Sequence, residues 1–457
     1  MKNIVEAQRN YFNTNATKQV EFRINQLKKL YTAIKINEKY LTEAIYSDFK
    51  KSAFDAYTNE LALLYHDIDE AIKKVKNWAK PKKVKTNFIN FPAKSYIIPE
   101  PLGVSLVIGA WNYPYQLSLA PSVAAMAAGN TIVLKPSELP AQTSHIMAKI
   151  IKEHFDPAYF TVVEGGISET TELLNQKFDK IFFTGSTFVG RIVYQAAAKH
   201  LTPVTLELGG KSPVFITENC NLEISVKRLI WAKYLNAGQT CIAPDYAFVH
   251  RSVYDRFLEL AKKEILKSEF SFENGNYVQI INQKNIERLT KMLDTSKIYH
   301  GGKYDIEKRY IEPTIMTNVS FDDKIMEEEI FGPIFPILTY ENIDNAISAV
   351  KKRPKPLSCY VFTSDDRIKH KILNEISFGG GAVNEAIMHI TNSNMAFGGV
   401  GESGIGAYHG EHGFRAFSHY KSILDKPTWL ETNLKYYPHT ESKLNWTKRL
   451  MGQKQKA

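Results

Sequence analysis

From Gly103 onward the chain alternates short apolar, β-forming runs with helical segments, and this alternation constrains the fold more than any other feature. Residues 104–108 form a buried strand ending at Gly109. An Ala-rich stretch after Pro121, residues 123–128, reads as a packed helix closed by Gly129-Asn130. Strands are expected at 131–135, 160–163 and 180–183, and helices at 141–154 and 189–199. Strands separated by helices pair in parallel, so the spacing predicts a doubly wound α/β domain. A second α/β stretch runs from Glu207 to about Gly381, with strands at 213–216, 247–249, 335–338 and 359–362 and helices at 223–235 and 252–266. Ahead of both, residues 17–79 carry helical spacing (Ile24, Leu27, Leu30, Tyr31, Ile34), and residues 82–100 read as extended strands broken by Pro92 and Pro99.

A length of 457 residues, 44% of them hydrophobic, supports two or three such domains at roughly 150 residues each. The three cysteines, Cys220, Cys241 and Cys359, form neither a C-x-x-C pair nor a Cys/His zinc spacing. No disulfide framework and no metal site are therefore expected, and a reducing compartment is. The N-terminus lacks the apolar core of a signal peptide, and no window approaches the ~18 consecutive apolar residues of a membrane span. A soluble cytoplasmic protein is the expectation. The net charge of +10 gathers at 80–85, 351–355 and 443–456, without the interleaved aromatics of a nucleic-acid module. In the basic tail, Leu444, Trp446, Leu450 and Met451 lie among Lys443, Lys448 and Arg449; the segment either touches a membrane surface weakly or docks on its own protein.

Cys241 is a lone thiol in the small, polar segment Asn236-Ala-Gly-Gln-Thr-Cys241, on a turn a substrate can reach, with a solvent-exposed loop cysteine as the alternative. Glu207, in Val204-Thr-Leu-Glu-Leu208, shares one strand face with Thr205, opposite Val204, Leu206 and Leu208. Apolar neighbours would raise its pKa toward that of a useful base; the alternative is an edge strand with Glu207 in solvent. Gly209-Gly210 argue for close backbone approach. Asn112, in Gly109-Ala-Trp-Asn-Tyr-Pro-Tyr115, is either an uncharged oxyanion donor or a turn residue before Tyr-Pro. Gly185, Ser186 and Gly190 open a helix after a strand, where backbone N–H groups can hold phosphate, although the segment is not G-x-G-x-x-G. Lys135 and Glu138 follow the end of another strand; Lys135 can reach ribose or phosphate, and Glu138 can accept from ribose hydroxyls while repelling a 2′-phosphate.

These segments resemble the aldehyde dehydrogenase superfamily over about residues 15–425. Trp111-Asn-Tyr-Pro114, Leu206-Glu-Leu-Gly-Gly-Lys-Ser-Pro213, Gly238-Gln-Thr-Cys241 and Glu329-Ile-Phe-Gly-Pro333 match family motifs, with Ala110 and Ala396 standing where prolines are usual. Ala243-Pro-Asp-Tyr246, Arg353-Pro-Lys-Pro-Leu-Ser358 and Phe397-Gly-Gly-Val-Gly-Glu-Ser-Gly404 are similar to the class 3 branch. The resemblance implies two doubly wound parallel-sheet domains and a small β arm. Residues 1–83 and 101–206, with part of 382–410, would bind NAD(P), and 207–381 would carry the catalytic residues. Residues 84–100 and 411–430 would form a bridging arm of a homodimer, and 431–457 a basic tail. It further implies that Cys241 is the nucleophile, Glu207 the base and Asn112 the oxyanion donor. Lys135, Glu138, Gly185, Ser186, Gly190, Glu329 and Phe331 would contact NAD, with NADP also open. Trp111, Tyr113 and Tyr115 suggest an apolar entrance for a small-molecule aldehyde, medium- or long-chain aliphatic or aromatic, and no Arg in the matched motifs stands to recognise a substrate carboxylate. Two other readings use the same residues: a thioesterase or esterase built on Cys241 and Glu207, and a catalytically inactive binding protein on this scaffold.

Overall fold

The computed structural model describes residues 1–452, so the end of the basic tail, 453–457, lies outside the described residues. A larger unit comprises 1–79 and 100–419, and a smaller one comprises 80–99 and the chain from 420 on.

The larger unit contains two sheets. The first runs, edge to edge, Gly404–Ile405, Val204–Glu207, Lys180–Thr184, Val104–Ile108, Thr131–Lys135, Phe160–Val162, and only the Gly404–Ile405 edge strand is antiparallel. Strand order reverses between Val104–Ile108 and Lys180–Thr184. At such a switch two loops diverge from the carboxyl ends of neighbouring strands and leave a crevice for a ligand. The second sheet runs Ile298–His300, Thr314–Met316, Ile334–Tyr340, Tyr246–His250, Pro213–Ile216, Ser358–Phe362, Gly380–Val383, parallel except at the Ile298–His300 edge. Its order reverses between Pro213–Ile216 and Ser358–Phe362. Strands buried on both faces are continuous apolar runs, as in Val104–Ile108 and Ser358–Phe362, whose five residues are all buried.

Helices Val20–Ile36, Glu38–Phe49 and Ala62–Trp78 occupy the region expected to be helical, preceded by an unforeseen helix at Lys2–Asn13. The Ala-rich helix also departs from expectation. It runs Pro114–Ala128 with Pro121 inside it, rather than starting after Pro121. Pro121 removes the bond to the Leu117 carbonyl, a loss of about 3 kcal/mol or more in an ordinary helix interior. Here Ala124 is the one residue of the helix that is not buried, so packing on all sides outweighs that loss.

The smaller unit pairs Lys82–Val84 with Lys94–Pro101, and that strand with Ser418–Asp425. Between the first two, a 3₁₀ turn at Phe88–Asn90 replaces the continuous extended arm read from sequence. The arm was expected to resume at residue 411, but Gly410–Ala416 is a helix of the larger unit. A tail helix, Glu441–Met451, is capped by Thr440 Oγ1, which accepts from the Lys443 N–H. No helix among the described residues is long and apolar enough to cross a membrane.

Candidate active site

Cys241 follows a backbone held in an unusual shape. After helix Leu222–Tyr234, Asn236, Ala237 and Gly238 all have positive φ (54°, 52° and 71°). A left-handed Ala is disfavoured by about 1–2 kcal/mol, so the surroundings must hold it there. Gln239 does so: its Nε2 donates to the carbonyls of Asn236 and Gln279 (both 3.1 Å), and its Oε1 accepts from the Ile281 N–H at 3.0 Å. Gly238 is packed so closely that a Cβ there would lie 2.3 Å from the Gly332 carbonyl oxygen. That contact ties the cysteine loop to the loop carrying Glu329 and Phe331.

Asn112 meets the same loop from the first sheet. Its Nδ2 donates to the Gln239 carbonyl at 3.0 Å, which leaves the second amide hydrogen for another acceptor. Its own carbonyl accepts from Asn236 Nδ2 (3.1 Å) and from the Lys51 ammonium (3.0 Å). Lys51 is bonded to Glu60 at 2.7 Å with both side chains buried, and the other Glu60 oxygen accepts from the Tyr115 N–H at 2.8 Å. The Asn112 loop is thus clamped from behind by a buried ion pair. Nothing in the local sequence pattern pointed to Lys51 or Glu60.

Cys241 and Glu207 border one cavity of 360 Å³, whose wall is mostly apolar (Leu63, Leu117, Trp231, Ile387 and Phe397 among others). Tyr113 lines it and shares a 2.7 Å hydrogen bond with Thr240 Oγ1. Tyr115 does not: it is fully buried, with its hydroxyl donating to the Leu41 carbonyl, so it belongs to the core and not to a substrate entrance. Successive residues of a helix point about 100° apart, so Tyr115 faces the core while Gln116 and Leu117 line the cavity. Trp111 lies outside the lining and packs edge-on against Phe331, ring centroids 5.3 Å apart.

Glu207 ends an interior strand, between Lys180–Thr184 and Gly404–Ile405, rather than a solvent edge. Both of its carboxylate oxygens are buried without a hydrogen-bond partner. Burial lifts its pKa well above the usual carboxylate range. Burial also pushes the Cys241 thiol up to about 12, reinforced by the Glu329 and Glu207 carboxylates and opposed by the N–H groups of Cys241 and Ile242. Cys220 and Cys359 are outside the cavity lining, Cys359 inside a buried strand.

Glu329 is packed beneath Gly209: a Cβ there would fall 2.0 Å from its Oε2, so a side chain at 209 would displace the carboxylate. Though part of the residue reaches solvent, burial of the carboxyl lifts its pKa to about 8, aided by Asp245 and opposed by the Gly210 N–H, Lys211 and Arg288. The surrounding loop is stapled. Lys211 pairs with Asp245 at 2.6 Å and donates to the Glu328 carbonyl, Asp245 accepts from the Ile330 N–H, and Arg288 donates to the carbonyls of Glu329 and Ile330.

The remaining candidates sit at strand ends of the first sheet. Lys135 is buried, its ammonium donating to the Pro136 carbonyl at 2.6 Å and lying 4.0 Å from the exposed Glu138 carboxylate. Gly185 and Ser186 follow strand Lys180–Thr184, and Ser186 caps helix Thr187–Ala198 by accepting from the Val189 N–H at 3.4 Å. Gly190 lets that helix press on the sheet, since a Cβ there would lie 2.6 Å from Leu208 Cδ2. A cation and an exposed acceptor at the end of Thr131–Lys135, and a helix N-terminus after Lys180–Thr184, flank the carboxyl end of Val104–Ile108 and fit the ribose and phosphate groups of a dinucleotide.

Comparison with known proteins gives the relatives of this arrangement. The model of the "Aldehyde dehydrogenase family" matches residues 1–423. A 4,4'-diaponeurosporen-aldehyde dehydrogenase of Staphylococcus aureus is 47% identical over 435 residues, covering 94% of each chain. A mouse "Aldehyde dehydrogenase, dimeric NADP-preferring" is 42% identical over 447 residues, covering 97% of this chain and 99% of its own. Among solved structures, the substrate-bound state of Staphylococcus aureus AldH superposes with a TM-score of 0.96 at 44% identity, covering 98% of this chain and 99% of that one.

Proposed function

The chain belongs to the aldehyde dehydrogenase family, in its class 3-like part, and from that premise we propose that it oxidises medium- or long-chain aliphatic or aromatic aldehydes to carboxylic acids through Cys241 and Glu207. The carrying observation is that this thiol and this carboxylate border one largely apolar cavity of 360 Å³.

Cys241 Sγ releases its proton to solvent and adds its electron pair to the aldehyde carbon, whose oxygen takes up the negative charge. The free amide hydrogen of Asn112 and the Cys241 backbone N–H receive the developing oxyanion; one such donor contributes about 10²–10³ in rate. NAD(P) supplies the two-electron acceptor. In this proposal Lys135, Glu138 and the Gly185-Ser186 turn hold its ribose and phosphates, and Glu329 and Phe331 flank the nicotinamide end. Cys241 is left carrying a thioester. Glu207, with two unpartnered oxygens and a raised pKa, takes a proton from water, which attacks the thioester and releases the acid and the free thiol. A base in this position favours water over coenzyme A as acyl acceptor.

Glu138 supports NAD as the preferred form, because a carboxylate beside the ribose repels a 2′-phosphate. The three free thiols support a reducing, cytoplasmic setting. The arm strands support a homodimer, and exposed Leu444, Trp446 and Leu450 on the basic tail helix support weak contact with an anionic membrane surface. The decisive experiment is steady-state NADH and NADPH formation across an aldehyde chain-length series. Turnover should rise from short to medium chains and should almost vanish in Cys241→Ser; unchanged turnover in that variant rejects the assignment.

A further inference from the structure

The substrate cavity has an asymmetric electrostatic lining. Apart from Glu207, Cys241 and tyrosine hydroxyls, one ionisable side chain borders it, Asp55; no Lys, Arg or His does among the described residues. Asp55 belongs to a short helix, Ala53–Ala56, capped by Ser52 Oγ, which accepts from the Asp55 N–H. A π-helical turn, Tyr57–Leu61, follows at once. The wider π-turn splits its polar residues between two sides. Glu60 points inward to Lys51, while Thr58 and Asn59 join Asp55 on the cavity wall. Asn59 Nδ2 donates to Asp55 Oδ1 at 3.2 Å and so orients the carboxylate. Asp55 is partly exposed, whereas Glu207 is 3% exposed, so Asp55 stands nearer solvent on the wall than Glu207 does.

No ion pair to Asp55 forms among the described residues, because Lys51 is already engaged by Glu60 and the Asn112 carbonyl. Burial raises the Asp55 pKa, and the Lys51 charge opposes that rise. Cys241 and Asp55 line the same cavity, so a long aldehyde seated with its carbonyl at Cys241 would share that cavity with this carboxylate. A methyl or aryl terminus loses nothing there. A terminal carboxylate would meet a like charge in partly desolvated surroundings, with no cation to receive it.

We propose that Asp55 is a specificity-determining residue that excludes aldehydes bearing a terminal carboxylate, restricting the enzyme to neutral long-chain or aromatic aldehydes. This rests on the reading of the cavity as the aldehyde site and names the substrate class it rejects.

The test compares nonanal with azelaic semialdehyde, which differ by one terminal carboxylate in place of a methyl, in wild type, Asp55→Asn and Asp55→Lys. Asparagine keeps the acceptor for Asn59, and each variant is judged by its own ratio of kcat/KM for the two substrates, so a general loss of activity cancels. In wild type the ratio should favour nonanal; in Asp55→Asn it should fall about tenfold or more, chiefly through KM of the acid, and Asp55→Lys should lower it further. Added salt should narrow the wild-type ratio and leave that of Asp55→Asn nearly flat. An equal ratio in wild type and Asp55→Asn overturns the proposal while leaving aldehyde oxidation intact. Failure of the wild-type enzyme to oxidise nonanal would instead overturn the underlying reading of the cavity.

Discussion

Cys241 is held in surroundings that oppose its ionisation. A free thiol is a few per cent thiolate at neutral pH. With burial and two carboxylates pushing it to about 12, Cys241 without bound cofactor should rest as the thiol, and Glu207 is lifted in the same direction. A raised thiol pKa leaves less nucleophile below it, and each unit of pH increases the thiolate about tenfold until that value is approached. Alkylation of Cys241 by iodoacetamide, followed on its own peptide by mass spectrometry, should accelerate steadily from about pH 7 to about pH 10. A rate already level at neutral pH would show that the resting thiol is activated by something other than these groups.

Between elements, the Lys51–Glu60 pair is the most consequential contact, joining the π-turn at Tyr57–Leu61 to the Asn112 loop. Buried ion pairs contribute little net stability, yet removing one partner strands the other. Lys51→Met should therefore destabilise the protein by about 3–5 kcal/mol, measured by denaturant unfolding. The double change Lys51→Met with Glu60→Leu should regain most of that stability. It should still lower kcat more than it alters KM, because the Asn112 carbonyl and the Tyr115 N–H have lost their anchors. Full recovery of kcat in the double variant would reduce the pair to a packing element.

For the whole molecule, the smaller unit poses the question. Its three-stranded sheet has Lys82–Val84 and Ser418–Asp425 at its edges, and Phe88 and Phe91 are 78% and 66% exposed. Edge strands and exposed aromatics in one small unit are features that association covers. If the proposed homodimer forms through this unit, replacing Phe88 and Phe91 by Asp should leave a monomer by light scattering after gel filtration where the unaltered chain runs as a dimer. A variant that stays dimeric would place the interface elsewhere.

The parallel-sheet architecture was readable from sequence because strands buried on both faces are written as uninterrupted apolar runs, a local signal. Strands Val104–Ile108, Thr131–Lys135 and Pro213–Ile216 fall where that pattern puts them. Gly238-Gln-Thr-Cys241 and Leu206-Glu-Leu-Gly209 are legible as local breaks, the first a small polar turn and the second a glycine pair that ends a strand. Tertiary structure alone decided what those breaks meet. Pro121 sits inside a helix because packing overrides propensity, Tyr115 turns into the core, and Gly209 makes room for Glu329 from 120 residues away. Lys51 reaches Asn112 across a separation of 61 residues, and the absence of any cation along the described cavity wall is a property of six or more segments brought together. Periodicity reports which face of an element is buried; it carries no information about which distant side chain will lie against that face.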